Sequence, residues 1–191
     1  MSDSPVADVI MRAFDAACSY EDYLAASPKH ADAWRSMGER IALTPTQREM
    51  LSGFTRQMRV LVVSGICCGD CVRQGPAMAA IAAACEAIDL RWIDRDDDAS
   101  PIAHLQINGG QRVPVAVFMA EDGVIVSIFG DRTLSCYRWI IAKETGPTCP
   151  LPGAPVPEDV LEGMVQDWMN ECERVQLLLR LSPRLLSVHG V

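Results

Sequence analysis

Apolar side chains at helical spacing dominate the N-terminal part of the chain. They extend over residues 6–43 and are interrupted at Ser27–Pro28, where a capping residue followed by proline starts a second helix. The segment Thr44–Gln47 repeats this signal, because it combines an N-cap residue, an N1 proline and a glutamine that can reach back to the cap. The apolar residues that follow at helical spacing are Met50, Leu51, Phe54 and Met58. The pattern predicts a further amphipathic helix over residues 45–58.

From residue 59 onward, short β-branched runs alternate with helical segments. The predicted strands are 59–63, 90–94, 113–119 and 124–129. The predicted helices are one that follows three clustered cysteines and continues to about residue 88, a short one over 100–107 and one over 132–143. Helices between the first strands favour parallel pairing, and the Asp122–Gly123 turn favours an antiparallel pair at the end. This order predicts an α/β fold in which a four-stranded mixed sheet is flanked by helices.

Five prolines and two glycines fall within residues 146–157, which is typical of an extended linker. After the linker, apolar residues lie on one face of a helix that ends near Leu181. This helix either packs back on its own domain, which we favour, or forms a homodimer or partner interface. We therefore predict three parts: an N-terminal helical extension over 1–44, a domain over 45–143, and a linker with a C-terminal helix packed on the domain over 144–191.

Composition and charge exclude several functional classes. Of the 191 residues, 49% are apolar and 22% are charged, which suits one compact domain. No apolar run approaches the ~18 residues needed to cross a bilayer, and no secretory signal is visible, so we expect a cytoplasmic protein. Seventeen basic against 25 acidic residues give a net charge of −8. Without a basic excess, we expect no binding to nucleic acid or to an acidic membrane surface.

Eight cysteines are many for a chain of this size, and three of them, Cys67, Cys68 and Cys71, lie within five positions. In a reducing compartment most cysteines are free thiols, and a close pair is catalytic, redox-active or metal-binding. The isolated cysteines are Cys18, Cys85, Cys136, Cys149 and Cys172. We expect these to fill the core, except for Cys149, which we expect to be exposed in the linker.

The segment Cys68–Cys71 has the spacing and the location of a redox-active pair, between a predicted buried strand and a predicted helix. If Cys68 lies near the helix N-cap and Cys71 in the first turn, their Cα atoms are about 5.5 Å apart, which a disulfide permits. Unpaired backbone amides and the positive end of the helix dipole favour a thiolate there. We predict that Cys68 is the nucleophile and Cys71 the resolving thiol. No organic cofactor is needed for this chemistry.

With these residues, the segment 45–143 resembles the thioredoxin family, in particular bacterial thioredoxin-like proteins with a Cys-Gly-Asp-Cys motif. The resemblance depends on the strand–CxxC–helix unit, on Pro76 five residues after the second cysteine, and on Val113–Pro114 at the start of the third strand. In the family the later proline is cis and faces the disulfide. The resemblance implies a set of substrate-contacting residues: Cys67, Gly69, Asp70, Val113 and Pro114.

The chain departs from the family pattern at three positions. Cys67 replaces the tryptophan that usually precedes the first cysteine, and is either a third reactive thiol or, as we favour, a small apolar filler. Val62 aligns with the buried aspartate that usually accepts the proton of the resolving thiol. Asp70 replaces a frequent proline. We expect its charge to disfavour the Cys68 thiolate and to make the pair more reducing, with Arg73 as a partial offset.

Metal binding is the weaker interpretation of the clustered cysteines. A structural zinc site needs four Cys or His ligands, and His30, His104 and His189 lie far from the cysteines in the sequence. We therefore expect no metal. The acidic run Asp94–Asp98 follows a strand and is interpreted as a solvated loop rather than a cation site.

The sequence thus predicts a thiol–disulfide oxidoreductase that reduces disulfides in a protein substrate. A reductase or a small thiol must regenerate it, and Gly130–Asp131 is similar to a glutaredoxin feature, so glutathione is one candidate. The alternatives are a thioredoxin-fold binding or scaffold module without turnover and a thiol-based metal carrier.

Overall fold

The computed structural model describes residues 5–145 and 157–189. The N-terminal helices are α1 (Pro5–Ala16), α2 (Tyr20–Ala25), α3 (Pro28–Gly38) and α4 (Pro45–Ser52). The central elements are β1 (Met58–Ser64), α5 (Gly69–Ala83), β2 (Ile88–Asp94), a 3-10 turn (Ile102–His104), β3 (Val115–Ala120) and β4 (Ile125–Gly130). The C-terminal helices are α6 (Leu134–Thr145), α7 (Glu158–Arg180) and α8 (Pro183–His189).

The four strands form one mixed sheet in the order β2-β1-β3-β4. β1 pairs in parallel with β2 and antiparallel with β3, and β3 pairs antiparallel with β4. All of β3 and nearly all of β1 is buried, as is typical of strands that helices cover on both faces. The predicted α/β fold, a four-stranded mixed sheet flanked by helices, is confirmed.

The parallel pairing predicted for strands that are joined by helices is present between β1 and β2, but β3 runs antiparallel to β1. The connection from β2 to β3 contains a single 3-10 turn among the elements of the fold, so no helix carries the chain back along the sheet. β3 therefore starts at the edge where β2 ends. This edge brings together Ser64, Asp94 and Val115, the ends of three strands.

Two predicted helices are too long, and the sheet explains both. α4 ends at Ser52 instead of residue 58, because Gly53 caps it and Met58 already belongs to β1. The helix after the cysteines ends at Ala83 instead of near residue 88, because Ile88 pairs with Met58 across the two parallel strands. Strand pairing thus overrides helical spacing at both places.

The helical stretch predicted over 6–43 also differs from the structure. It restarts after Ser27 as predicted but ends at Gly38. A second break falls at Cys18, whose backbone exchanges hydrogen bonds of 2.9 and 2.8 Å with Trp92 of β2. This long-range pairing has no local signal in the sequence.

Three further differences lie between β2 and the C-terminus. The helix predicted over 100–107 is only the 3-10 turn, and β3 begins at Val115 rather than 113, because Pro114 has no amide hydrogen for the ladder. α8 was not predicted, although Ser182–Pro183 carries the same start signal as α3 and α4. The predicted linker lies outside the described residues except for Pro157, as does Cys149.

The N- and C-terminal helices pack against the central sheet. Rings of Tyr20, Tyr23 and Trp34 lie 5.4–5.8 Å from the ring of Trp92, which fixes α2 and α3 to β2. α7 packs on α5, α6 and β4 through a buried apolar face. Among the helices of the described ranges, none has the length and apolar character needed to cross a membrane.

Candidate active site

Cys68 and Cys71 lie at the edge of the sheet where β1, β2 and β3 meet. β1 ends at Ser64, and a short loop leads to α5, whose N-cap is Cys68 and whose first turn contains Cys71. The amide of Gly65 donates a hydrogen bond to Sγ of Cys71 at 3.4 Å. The two sulfurs are therefore held within one helical turn, between the sheet edge and the helix N-terminus.

Burial and hydrogen bonding make the two thiols unlike each other. Cys68 is half-buried, whereas Cys71 is fully buried. The hydrogen bond from the Cys71 thiol is the main cause that lowers the pKa of Cys68 to about 6, against the effect of burial, and the amides of Asp70 and Cys71 lower it further. The same hydrogen bond, together with burial, raises the pKa of Cys71 far above its ordinary value. At neutral pH the pair therefore holds a thiolate on Cys68 and a proton on Cys71.

The peptide before β3 forms one side of the site. Sγ of Cys68 lies 3.7 Å from the carbonyl oxygen of Val113, and the Val113–Pro114 peptide bond is cis. Both residues are buried. Of the other expected substrate contacts, Cys67 and Gly69 are exposed at the tip of the loop. The structure thus brings all of the sequence-predicted site residues around Cys68.

Asp70 forms ion pairs with two arginines. Arg73, one turn further along α5, pairs with Oδ1, and Arg132, which follows β4, pairs with Oδ2 at 2.6 Å. The charge of Asp70 acts to raise the pKa of Cys68, as expected, but its effect is smaller than that of the hydrogen bonds from Cys71 and the backbone, so the net shift is a lowering. The offset by Arg73 expected from the sequence is present, and Arg132 adds a second one.

A further polar network lies behind these arginines. The carboxylate of Asp131 is 5% exposed and accepts hydrogen bonds from Arg112 and Tyr137. Burial acts to raise the pKa of Asp131, but these two hydrogen bonds, a backbone hydrogen bond and the charge of Arg112 together hold the pKa below its usual value. Gln74 of α5 donates to the backbone oxygen of Asp131 at 2.9 Å. The network ties the start of the segment after β4 to α5, so it fixes Arg132 beside Asp70.

Comparison with known proteins agrees with this architecture. A family model described as Thioredoxin matches residues 17–144, more than half of the chain. The chain belongs to the thioredoxin family. No curated protein is detectably similar in sequence. The match includes α2 and α3 in addition to the segment 45–143 that carries the sequence resemblance.

Two solved structures share the thioredoxin fold of this chain. A protein of unknown function from Pseudomonas aeruginosa has a TM-score of 0.59 and 16% identity, covering 83% of this chain and 96% of that one. An HIV epitope-scaffold has a TM-score of 0.57 and 18% identity, covering 84% of this chain and 96% of that one. At these identities the similarity shows the fold alone.

The N-terminal helices support the loop between β1 and Cys68 from behind, and no sequence pattern predicts this contact. Nε1 of Trp34 donates to the carbonyl oxygen of Ile66 at 2.9 Å. The amide of Ile66 donates to Oδ2 of Asp94 at 3.2 Å, and the hydroxyl of Tyr23 donates to the same oxygen at 3.1 Å. Asp94 is therefore half-buried and bonded, contrary to the interpretation of Asp94–Asp98 as a solvated loop. Residues 96–98 are exposed, so that interpretation holds for the rest of the run. Tyr23, Trp34 and Asp94 form no motif or regular spacing in the sequence, so their contacts with the loop are visible only in the three-dimensional structure.

Apart from Cys67, the other cysteines of the described residues lie outside the loop and the helix turn that hold Cys68 and Cys71. Cys85, Cys136 and Cys172 are buried, and burial is the main cause that raises the pKa of each. Cys18 is half-buried beside β2 rather than inside a helix. Every cysteine of the described residues is a free thiol. Within residues 5–145 and 157–189, no group of three or more His, Cys, Asp or Glu side chains is placed to hold a metal ion.

Proposed function

We propose that this protein is a thiol–disulfide oxidoreductase that reduces disulfides in protein substrates. The observation that carries the proposal is the asymmetry of the pair: a low-pKa sulfur on the accessible Cys68 and a protonated sulfur on the buried Cys71. A thiolate is the attacking species in thiol–disulfide exchange, and a second thiol one turn away is the resolving group.

The proposed reaction consumes one substrate disulfide and two protein thiols. The Cys68 thiolate attacks one sulfur of the substrate, the substrate S–S bond breaks, and the departing sulfur takes a proton from solvent. Cys71 then attacks Sγ of Cys68, which forms the Cys68–Cys71 disulfide and releases the second substrate sulfur as a thiol. Two electrons pass from the protein to the substrate, and Cys71 gives up its proton.

We expect an extended substrate segment to lie along the peptide before β3. The carbonyl of Val113 faces Cys68, and Pro114 next to it offers no amide hydrogen, so the strand is not continued by the protein itself at this point. Cys67, Gly69 and Asp70 would contact the same segment from the loop and the first turn of α5. No organic cofactor takes part in this half-reaction.

Turnover requires a partner that reduces the Cys68–Cys71 disulfide again. We propose a reductase or a small thiol for this role, with glutathione as one candidate. We also propose a cytoplasmic location, because a reducing compartment keeps the pair as dithiol.

The end of α7 carries the exposed apolar residues Leu177, Leu178 and Leu181. We propose that these residues belong to a homodimer interface, and sedimentation or light scattering tests this proposal.

The test is the reduction of insulin by dithiothreitol, followed by turbidity, with wild type and Cys68→Ser. We expect acceleration by wild type, background rate for Cys68→Ser, and wild-type rate for the control Cys85→Ala, which removes a thiol just beyond the opposite end of α5. Background rates for all three proteins would instead support a binding or scaffold module without turnover. This module is the main alternative because Cys67 and Val62 replace the tryptophan and the buried aspartate of the family pattern. Stoichiometric zinc or copper on the reduced wild type, lost in Cys71→Ser, would support the metal carrier.

A further inference from the structure

The proton of Cys71 has no direct route to solvent. The side chain is fully buried, and Val62, at the aspartate position of the family pattern, is fully buried and apolar. In the resolving step Cys71 must nevertheless lose a proton, because only its thiolate attacks the mixed disulfide efficiently. An acceptor that communicates with this sulfur is therefore needed elsewhere.

Three polar side chains connect Cys71 with the opposite side of the loop. The hydroxyl of Ser64 is fully buried and forms no hydrogen bond, but it lies near enough to Cys71 and Tyr23 to lower the pKa of both. Ser64 directly precedes Gly65, whose amide bonds Sγ of Cys71, so the backbone places this hydroxyl beside the sulfur. Tyr23 is buried, and its hydroxyl donates to Oδ2 of Asp94 at 3.1 Å. Ser64 and Asp94 are directly paired across β1 and β2, which fixes this geometry in the sheet.

Asp94 lies at the point where this series of groups meets solvent. Together with Tyr23 and Ile66 it lines an open cavity of about 280 Å³ between the N-terminal helices and the end of β2. The other titratable groups in the cavity wall are Cys18 and Asp97. A proton that reaches Asp94 can therefore leave to water.

We propose that Asp94, acting through Tyr23 and Ser64, accepts the proton that Cys71 loses when it resolves the mixed disulfide. The inference rests on the proposed function and deepens it. For this step the Ser64 hydroxyl, which has no hydrogen-bond partner in the structure, turns to accept the proton of Cys71 as it passes its own to Tyr23, and Tyr23 passes its own to Asp94. The Cys71 thiolate forms a bond to Sγ of Cys68, the bond from Cys68 to the substrate sulfur breaks, and that sulfur leaves with the electron pair. Asp94 then releases the proton to water.

Asp94 and Tyr23 act here as positioning residues for proton transfer, and their structural role must be separated from it. Asp94 also accepts hydrogen bonds from the amides of Ile66 and Asp96, so a substitution could disturb the loop. Asp94→Asn keeps an acceptor oxygen but removes the charge, and Tyr23→Phe keeps the ring against Trp34 and Trp92 but removes the hydroxyl. The matched control is Asp97→Asn, which changes the same charge in the same cavity wall without contact to Tyr23.

The experiment uses reduced full-length protein with Cys67→Ser and a substoichiometric amount of 5,5′-dithiobis(2-nitrobenzoate). Attack by Cys68 releases one coloured thiolate, and resolution by Cys71 releases the second, so the two steps are separate absorbance phases. Cys71→Ser identifies the second phase by abolishing it. The rates of both phases are measured from pH 6 to pH 9.

We expect Asp94→Asn and Tyr23→Phe to slow the second phase about tenfold near pH 7 and to leave the first phase unchanged. Their second phase should then rise about tenfold per pH unit, as expected when hydroxide replaces the internal acceptor, whereas wild type and Asp97→Asn should rise less steeply. A purely structural role would lower the rate by the same factor at every pH, and that result would overturn the inference, as would an unchanged second phase. A wild type that lacks a second phase would overturn the proposed function itself.

Discussion

Arg132 reaches from the segment after β4 to the first turn of α5, where its Nε donates to Oδ2 of Asp70 at 2.8 Å. The two residues lie 62 positions apart in the sequence. Because Arg73 pairs with the other oxygen, the carboxylate beside Cys68 is neutralised from two sides. This arrangement lets an acidic residue occupy the position between the two cysteines while Cys68 keeps a low pKa.

The first prediction concerns the charge of Asp70. Asp70→Asn removes a charge that raises the pKa of Cys68 and frees two arginines, so the pKa should fall below about 6. At pH 5 the rate of Cys68 alkylation by iodoacetamide should rise about threefold, since a larger fraction is thiolate. Peptide mass spectrometry in a Cys67→Ser background measures this rate.

Asp89→Asn is the matched control for this substitution. Asp89 also pairs with an arginine, Arg91, but lies near the start of β2, away from the cysteines. It should leave the alkylation profile unchanged. An Asp70→Asn profile that coincides with wild type, or that moves to higher pH, would contradict the role assigned to Asp70.

The second prediction concerns the hydrogen bond from Cys71. In wild type the alkylation rate of Cys68 should rise with pH through a midpoint near 6, because the thiolate reacts and the thiol does not. Cys71→Ala removes the main cause of the low pKa, so the midpoint should move toward the value of a free thiol, about 8.5, and the rate at pH 7 should fall about tenfold. Cys85→Ala, another buried cysteine, should leave the midpoint near 6. Equal midpoints in Cys71→Ala and wild type would show that the helix amides alone set the pKa.

The fold and the core of the site were predictable from local patterns. β-branched runs, proline-led helix starts and the Cys68–Cys71 spacing are short-range signals, and each depends on the conformational preferences of a few neighbouring residues. Val113–Pro114 added a marker from a distant part of the chain. These signals together specify the order of elements along the chain and the residues around Cys68, but not the antiparallel pairing of β3 with β1.

The support of the site was not predictable in the same way. Tyr23, Asp94 and Arg132 reach the loop or α5 through contacts between elements that are distant in sequence, and no periodicity marks them. Asp94 in particular begins an acidic run, which favours a solvated loop when local polarity is the only evidence. The hydrogen bond from Tyr23 exists because the N-terminal helices pack on β2, and that packing depends on the fold as a whole.

The third prediction concerns the contact between α5 and the N-terminal helices. Gly75 lies against the indole of Trp34, and a Cβ at this position would fall 2.9 Å from Cη2 and 3.1 Å from Cε3. Trp34 is fully buried, so the ring has little room to move. Gly75→Ala should therefore lower the free energy of unfolding by about 1–3 kcal/mol, despite the better helix propensity of alanine.

Urea unfolding followed by tryptophan fluorescence measures this change. Gly69→Ala is the matched control, because it adds the same methyl group to the same helix where no atom lies within 4 Å. The control should be as stable as wild type or slightly more stable. A Gly75→Ala protein with unchanged stability would mean that Trp34 does not pack on α5 as described.

The last prediction separates stability from function at Ser64. Its hydroxyl is fully buried without a hydrogen bond, which lowers the stability of the folded protein, and a role in proton transfer would explain why it is present. Ser64→Ala removes this unsatisfied group, so the free energy of unfolding should rise by about 1 kcal/mol, while the resolving step should slow about tenfold because the link between Cys71 and Tyr23 is lost. Ser127→Ala, in which the lost hydroxyl is bonded to Glu171 at 2.5 Å, should instead lower the stability and leave the resolving step unchanged. If Ser64→Ala were less stable than wild type and resolved the mixed disulfide at the normal rate, the hydroxyl would be structural, and the proton would have to leave Cys71 by another route.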